Sequence, residues 1–144
     1  MRKIAMLLLT ILLSIGFAGC AEKTVISLPF DITEINHVEM YRYIVPSSAE
    51  KKIVTESDDI AQLYAAFSDL EICQRTIEPT AGSPVTIFLF HLSDGANYKI
   101  TYCEDGILKF PAEQLDGCTS VCIGIFWEKL QKYEPVSIKE SELP

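Results

Sequence analysis

Two Asp-Gly pairs, Asp94-Gly95 and Asp105-Gly106, divide one stretch of this chain into three β-rich runs, and nothing else in it restricts the fold so strongly. Thr86 to Leu92, Asn97 to Cys103 and Ile107 to Phe110 are dominated by β-branched and aromatic residues. An Asp-Gly pair between such runs favours a tight hairpin, because both residues tolerate positive φ. A two-residue turn at Asp94-Gly95 sets Ser93 opposite Ala96, Leu89 opposite Ile100 and Phe88 opposite Thr101. In that register Ile87, Leu89, His91, Tyr98, Ile100 and Tyr102 share one face, the better core candidate. Phe88, Phe90, Lys99 and Thr101 point the other way.

The remainder supplies further strands and two amphipathic stripes. Val25 to Leu28 reads as a short strand stopped by Pro29. Ile35 to Ile44 alternates, with Val38, Met40 and Ile44 on one side and His37, Glu39, Tyr41 and Tyr43 on the other. Lys51 to Val54 follows as a strand after the turn at Pro46-Ser47-Ser48. Thr55 and Asp58 have capping-box spacing, and Ile60, Leu63, Tyr64, Phe67 and Leu70 predict a helix over 56–69. Glu71 to Ile77 is expected as a strand, with loops over 78–84 and 111–117. A second helix is expected over 120–133, with Val121, Cys122, Ile125, Phe126, Lys129 and Tyr133 along its stripe.

Hairpins in succession imply a mainly antiparallel sheet, and both stripes can be buried against one of its faces. The expected fold class is therefore α+β, a two-layer sandwich with two helices on one face. A small barrel with helices packed outside is the alternative. One domain spans 25–134, long enough to bury about two thirds of its surface without a staple. The tail over 135–144, which opens on Pro135, is expected to fray.

Residues 1–19 stand apart. Met1-Arg2-Lys3 is a cationic head, Ile4 to Phe17 is an apolar run, and Ala18-Gly19 ends it before Cys20. Fourteen helical residues reach roughly 21 Å, short of a hydrocarbon core of about 30 Å, so the segment reads as an export signal and not a membrane span. Phe17-Ala18-Gly19-Cys20 resembles the lipobox of small bacterial lipoproteins, with Phe17 standing where Leu is usual. The resemblance implies that Cys20 becomes the first mature residue and carries a diacylglyceryl thioether. The chain is then a lipid-anchored protein on the extracytoplasmic side of a cell membrane, joined to its anchor by a tether over 20–24. Ordinary cleavage after Ala21 is the alternative.

Charge narrows the partners. The whole chain has twelve Lys and Arg against twenty Asp and Glu, net −8. Both cations of residues 1–19 leave with the leader, so the mature part stands at −10. Such a body is repelled by anionic headgroups and lacks the clustered cations that nucleic acid requires.

The candidate chemistry is sparse. His37 and His91 are the two histidines, both on expected strands, and no phosphate loop, H-E-x-x-H or G-x-S-x-G is present. No metal, cofactor or catalytic residue is assigned. Beyond Cys20 lie Cys73, Cys103, Cys118 and Cys122, without C-x-x-C spacing; bridges between them are open to an exported chain, and any from Cys73 is expected to reach the second helix. His37, Tyr41, Tyr43, Phe88 and Phe90 are expected on an open sheet face, a possible binding surface for a protein, peptide or glycan. The functional expectation is a non-catalytic binding or accessory module. A thiol enzyme using Cys118 or Cys122 at a helix start, or an inhibitor or immunity lipoprotein, is the alternative.

Overall fold

The computed structural model describes residues 23–74, 80–111 and 117–144. The leader, Cys20, the first part of the tether, the end of the strand expected over 71–77 and most of the loop over 111–117 lie outside the described residues. The elements in chain order are β1 (Lys23–Ile26), β2 (Ile35–Tyr43), β3 (Glu50–Val54), α1 (Ser57–Phe67), β4 (Leu70–Gln74) and β5 (Val85–Leu92). There follow β6 (Asn97–Cys103), β7 (Ile107–Lys109), β8 (Gly117–Cys118), α2 (Ile125–Lys129) and β9 (Val136–Ser137). Among the described residues the strands form one nine-stranded sheet in the order β1-β4-β8-β7-β6-β5-β2-β3-β9. Every neighbouring pair is antiparallel. The architecture is α+β, as the order of strand and helix patterns predicts.

The β5–β6 hairpin departs from the expected register by one residue. The Leu92 amide donates to the Ala96 carbonyl at 2.8 Å and the Gly95 amide to the Leu92 carbonyl at 3.0 Å. Ser93, Asp94 and Gly95 therefore form a three-residue loop, with Gly95 at φ +88. The Asp94 carboxylate accepts from the Ala96 amide at 2.8 Å and locks the turn. Phe90 consequently faces Tyr98, Phe88 faces Ile100, and Leu89 faces Lys99. Because strand side chains alternate, a slip of one residue moves each side chain of β5 to the other face relative to β6.

That slip corrects the expected core. Phe88 and Phe90 are 0% exposed and pack with Val38, Met40, Tyr98, Ile100 and Tyr102. Ile60, Leu63 and Phe67 of α1, Trp127 of α2, and Leu28 and Phe30 join the same cluster. Phe67 meets both Phe88 and Phe90 edge-on, at centroid distances of 5.0 and 5.9 Å. Ile87 and Leu89 lie on the reverse face with Tyr41. Ile44, expected on the core side, is 59% exposed just beyond the end of β2.

Three local expectations are also revised. Helix α1 starts from Glu56 without a side-chain cap, so Thr55 does not close a capping box, although Asp58 and Asp59 keep the acidic first turn. Helix α2 covers five residues and not 120–133. Thr119, Val121 and Ile123 are β-branched, Gly124 adds backbone freedom, and the Val121 amide bonds the Thr119 hydroxyl at 3.1 Å, a local alternative to a helical turn. The tail does not fray. Val136 and Ser137 pair with Lys51 and Glu50, the Ile138 amide donates to the Ala49 carbonyl at 3.0 Å, and Ile138 and Leu143 pack onto Tyr41, Ile87 and Leu89.

Polar ties fix the helices. The buried Lys52 ammonium donates to the carbonyls of Trp127 and Leu130 at 2.8 and 3.2 Å, satisfying the C-terminal end of α2. Arg42 bonds Glu104 and Glu128, each at 2.6 Å. The Asp59 carboxylate accepts from the Lys132 ammonium and the Tyr133 hydroxyl, both at 2.7 Å.

Phe88→Ala should destabilise the protein by about 3–5 kcal/mol in urea titrations, the cost of a large core cavity. A loss below about 1 kcal/mol would place that ring outside the core. The Lys132 hydrogen bond holds the Asp59 carboxyl below its ordinary 3.8, against the opposing effect of burial, with Tyr133 helping. A lowered acid contributes stability above its unfolded value and loses it as pH falls through the folded one. The urea midpoints of wild type and Asp59→Asn should therefore differ at pH 6 and converge below about pH 4. A difference that persists undiminished into acid would remove the ion pair as its cause.

Candidate functional site

His37 and Glu39 sit two residues apart on β2, so both emerge on the face opposite Val38 and Met40. At Asn36 the ladder between β2 and β5 shifts by one residue, from Ile35 opposite Leu92 to His37 opposite His91. The two imidazoles stack face to face, with centroids 4.2 Å apart and planes 9° from parallel. The register that buries Phe88 and Phe90 is the one that brings His91 beside His37.

Glu39 is the hub. Its Oε1 is in contact with the Lys51 ammonium from β3. Its Oε2 accepts from the Tyr41 hydroxyl at 2.5 Å and lies 3.1 Å from His91 Nε2. Burial alone would raise the Glu39 acid, but the hydrogen bonds from Lys51 and Tyr41, with the His91 ring close by, prevail and hold it at about 2. Tyr41 is pushed upward by burial and by donating to that carboxylate. His37 is pushed downward, first by burial and then by His91 and Lys51, with Glu39 partly opposing. A neutral His37 keeps a free lone pair near neutral pH.

His91 Nε2 is the anomaly. It is buried, and among the described residues no partner meets it at hydrogen-bonding angles, although a carboxylate oxygen is close. A buried ring nitrogen without a proper partner is costly unless something else engages it.

His37, Glu39 and His91 each offer one donor atom, and these lie within 4.8 Å of one another. Donors around a tetrahedral zinc ion, with bonds near 2.0–2.1 Å, sit about 3.3 Å apart. The donors here are spread wider, so holding one ion requires the two stacked rings to turn toward it. Two imidazoles and a carboxylate suit zinc and other first-row divalent ions, with an exchangeable fourth position. The centre is partly open: the side chains of Glu39 and His91 are 13% and 23% exposed. A cleft of about 520 Å³ lined by Lys51, Ile53, Tyr133, Val136 and Ile138 adjoins it.

The expected site residues separate. His37 belongs to the cluster. Tyr41 is 4% exposed beneath Ile138 and Leu143, serving as a hydrogen-bond donor, and Tyr43 packs half-buried beside it. Phe88 and Phe90 are core residues on the other face, so an open aromatic surface shared with the tyrosines does not exist. Glu39, Lys51 and His91 complete the site and were not among the expected residues. The alternating His-x-Glu of β2 was the available signal, but its third member depended on cross-strand register.

The cysteines are also redistributed. Cys118 lies on β8 directly opposite Cys73 of β4, and α2 starts only at Ile125, so the helix-start argument for reactive Cys118 and Cys122 loses its premise. Cys103 is buried, and that burial raises its thiol. Cys20 lies outside the described residues.

Comparison with protein-family models, curated proteins and solved structures returned no match. Among the described residues no helix is long and apolar enough to cross a membrane.

Proposed function

We propose that this chain is a lipid-anchored extracytoplasmic lipoprotein whose domain is a non-catalytic binding module, with a divalent first-row transition-metal ion as its ligand. The metal reading rests on one observation above others: two histidines and a glutamate converge on one sheet face, and a buried ring nitrogen there lacks a proper partner. The anchor reading rests on the leader and on Phe17-Ala18-Gly19-Cys20. In this reading the domain is a two-layer sandwich, with both helices on the Phe88 side and the metal centre on the reverse face.

Each residue then has a role. His37 and His91 bind through ring nitrogens and Glu39 through Oε2. Tyr41 orients the carboxylate as an outer-shell donor. Lys51 is a competitor, a cation already held on Oε1 of the same carboxylate. A fourth position left to water or to a donor from another molecule lets the bound ion bridge to a partner outside the membrane.

Zinc titrated calorimetrically into the full-length protein in detergent should bind at one ion per chain. His37→Ala or His91→Ala should weaken it at least about tenfold, while Lys51→Met should tighten it. Unchanged affinity in both histidine variants would sink the metal reading. For the anchor, the wild-type product should partition into the detergent phase and Cys20→Ala into the aqueous phase. A wild-type product that retains Met1 and carries no acyl mass would end that half of the proposal.

A further inference from the structure

We propose that Cys73 and Cys118 form a cross-strand disulfide in the mature protein. They are direct Cα partners on the adjacent antiparallel strands β4 and β8, so their side chains leave the same face. Opposed residues in such a pair have Cα atoms about 4.5–5.5 Å apart, inside the range of about 4.4–6.8 Å that a disulfide requires. Both residues are half-buried, open enough for an oxidant to reach.

The other pairings are less suited. β7 lies between β6, which carries Cys103, and β8, which carries Cys118. Two strand spacings of about 4.8 Å put those Cα atoms beyond the bridging limit of about 7 Å. Cys103 is 3% exposed, and its thiolate is disfavoured by burial. Cys122 is exposed and its thiol meets the hydroxyl of Tyr102, a residue of the main core, whereas Cys73 follows the core residue Ile72 on β4 and so faces the other side of the sheet.

The position of this pair gives the bond a purpose. Among the described residues β4 and β8 are joined by two residue pairs, Cys73 with Cys118 and Gln74 with Gly117, and β7 and β8 by two more. The β1–β4 ladder reaches the rest of the sheet through that narrow joint. β1 begins at Lys23, three residues beyond Cys20, so on the anchor reading any pull from the membrane enters the sheet at β1. A covalent bond at Cys73–Cys118 carries that load across the first of these two-pair ladders.

The chemistry balances with a small-molecule disulfide as oxidant. The thiolate of one cysteine attacks the oxidant, forming a mixed disulfide and releasing one thiol. The second cysteine's thiolate then attacks the protein sulfur of that mixed disulfide and expels the other thiol. One S–S bond forms in the protein and one breaks in the oxidant. Two electrons pass to the oxidant, and the two protons end on the released thiols.

The test equilibrates the full-length protein with oxidised glutathione, then alkylates it and maps it without reduction. Tandem fragmentation should place one link between Cys73 and Cys118, with Cys122 alkylated in the native state and Cys103 only after unfolding. The oxidised protein should melt roughly 5–10 °C above its reduced form. The Cys73→Ser/Cys118→Ser double variant should melt at the same temperature under both conditions. Alkylation of Cys73 and Cys118 as well as Cys103 and Cys122 after oxidation, or a link from Cys73 to Cys122, would overturn the proposal. The assay uses neither metal nor membrane, so its outcome is separate from the fate of the binding and anchoring readings.

Discussion

A single backbone hydrogen bond, from the Leu92 amide to the Ala96 carbonyl, sets the side on which every residue of β5 stands relative to β6. It closes a loop of three residues, and Gly95 takes the positive φ that lets the chain return in step with the sheet twist. With two loop residues, Leu89 would face Ile100 and both phenylalanines would leave the core. With three, Phe88 and Phe90 go to the helix side and His91 to the reverse side. The pairing of β5 with β2 then sets His91 opposite His37, so the core and the candidate site draw on the two faces of the same strand.

The reverse face is built differently from the core face. Its apolar patch is small, consisting of Tyr41, Ile87 and Leu89, and the last residues of the chain cover it. β9 reaches that position by pairing with β3, after which Ile138 and Leu143 supply the cover. Beyond the cover the face turns polar, and Glu39 is charged although it is mostly out of solvent. A buried carboxylate is tolerated only when fully engaged, and here Lys51, Tyr41 and His91 surround it. The arrangement ties three strands together, because its members come from β2, β3 and β5.

Much of this follows from the sequence alone, and the remainder fails for definable reasons. The alternation of β2 assigns Val38 and Met40 to one face and His37, Glu39, Tyr41 and Tyr43 to the other, as the structure has them. The stripe of α1 correctly names Ile60, Leu63 and Phe67 as buried. Strands of two residues, such as β8 and β9, have no periodicity to detect. An Asp-Gly pair serves two-residue and three-residue loops alike, so it announces the hairpin without settling its register. The His–Glu–His cluster inherits that ambiguity, since His91 meets His37 only through the register and the bulge at Asn36. Cys73 and Cys118 were hidden similarly, because their pairing depends on a strand too short to read.

Electrostatics connects the site to the rest of the chain. Residues 20–144 bear ten more anions than cations, which raises the local concentration of small cations around them and disfavours contact with anionic surfaces. Within that negative field the candidate centre is the place where carboxylate and imidazole donors come together away from bulk water. Lys51 tempers it: an ammonium already on Glu39 lowers the gain from a second cation, so only an ion that also recruits both imidazoles outweighs it. Ions that prefer oxygen donors, such as calcium and magnesium, gain little from His37 and His91. On the proposed metal reading, the same three side chains that favour zinc-like ions discriminate against the more abundant hard cations, and the lysine sharpens the distinction.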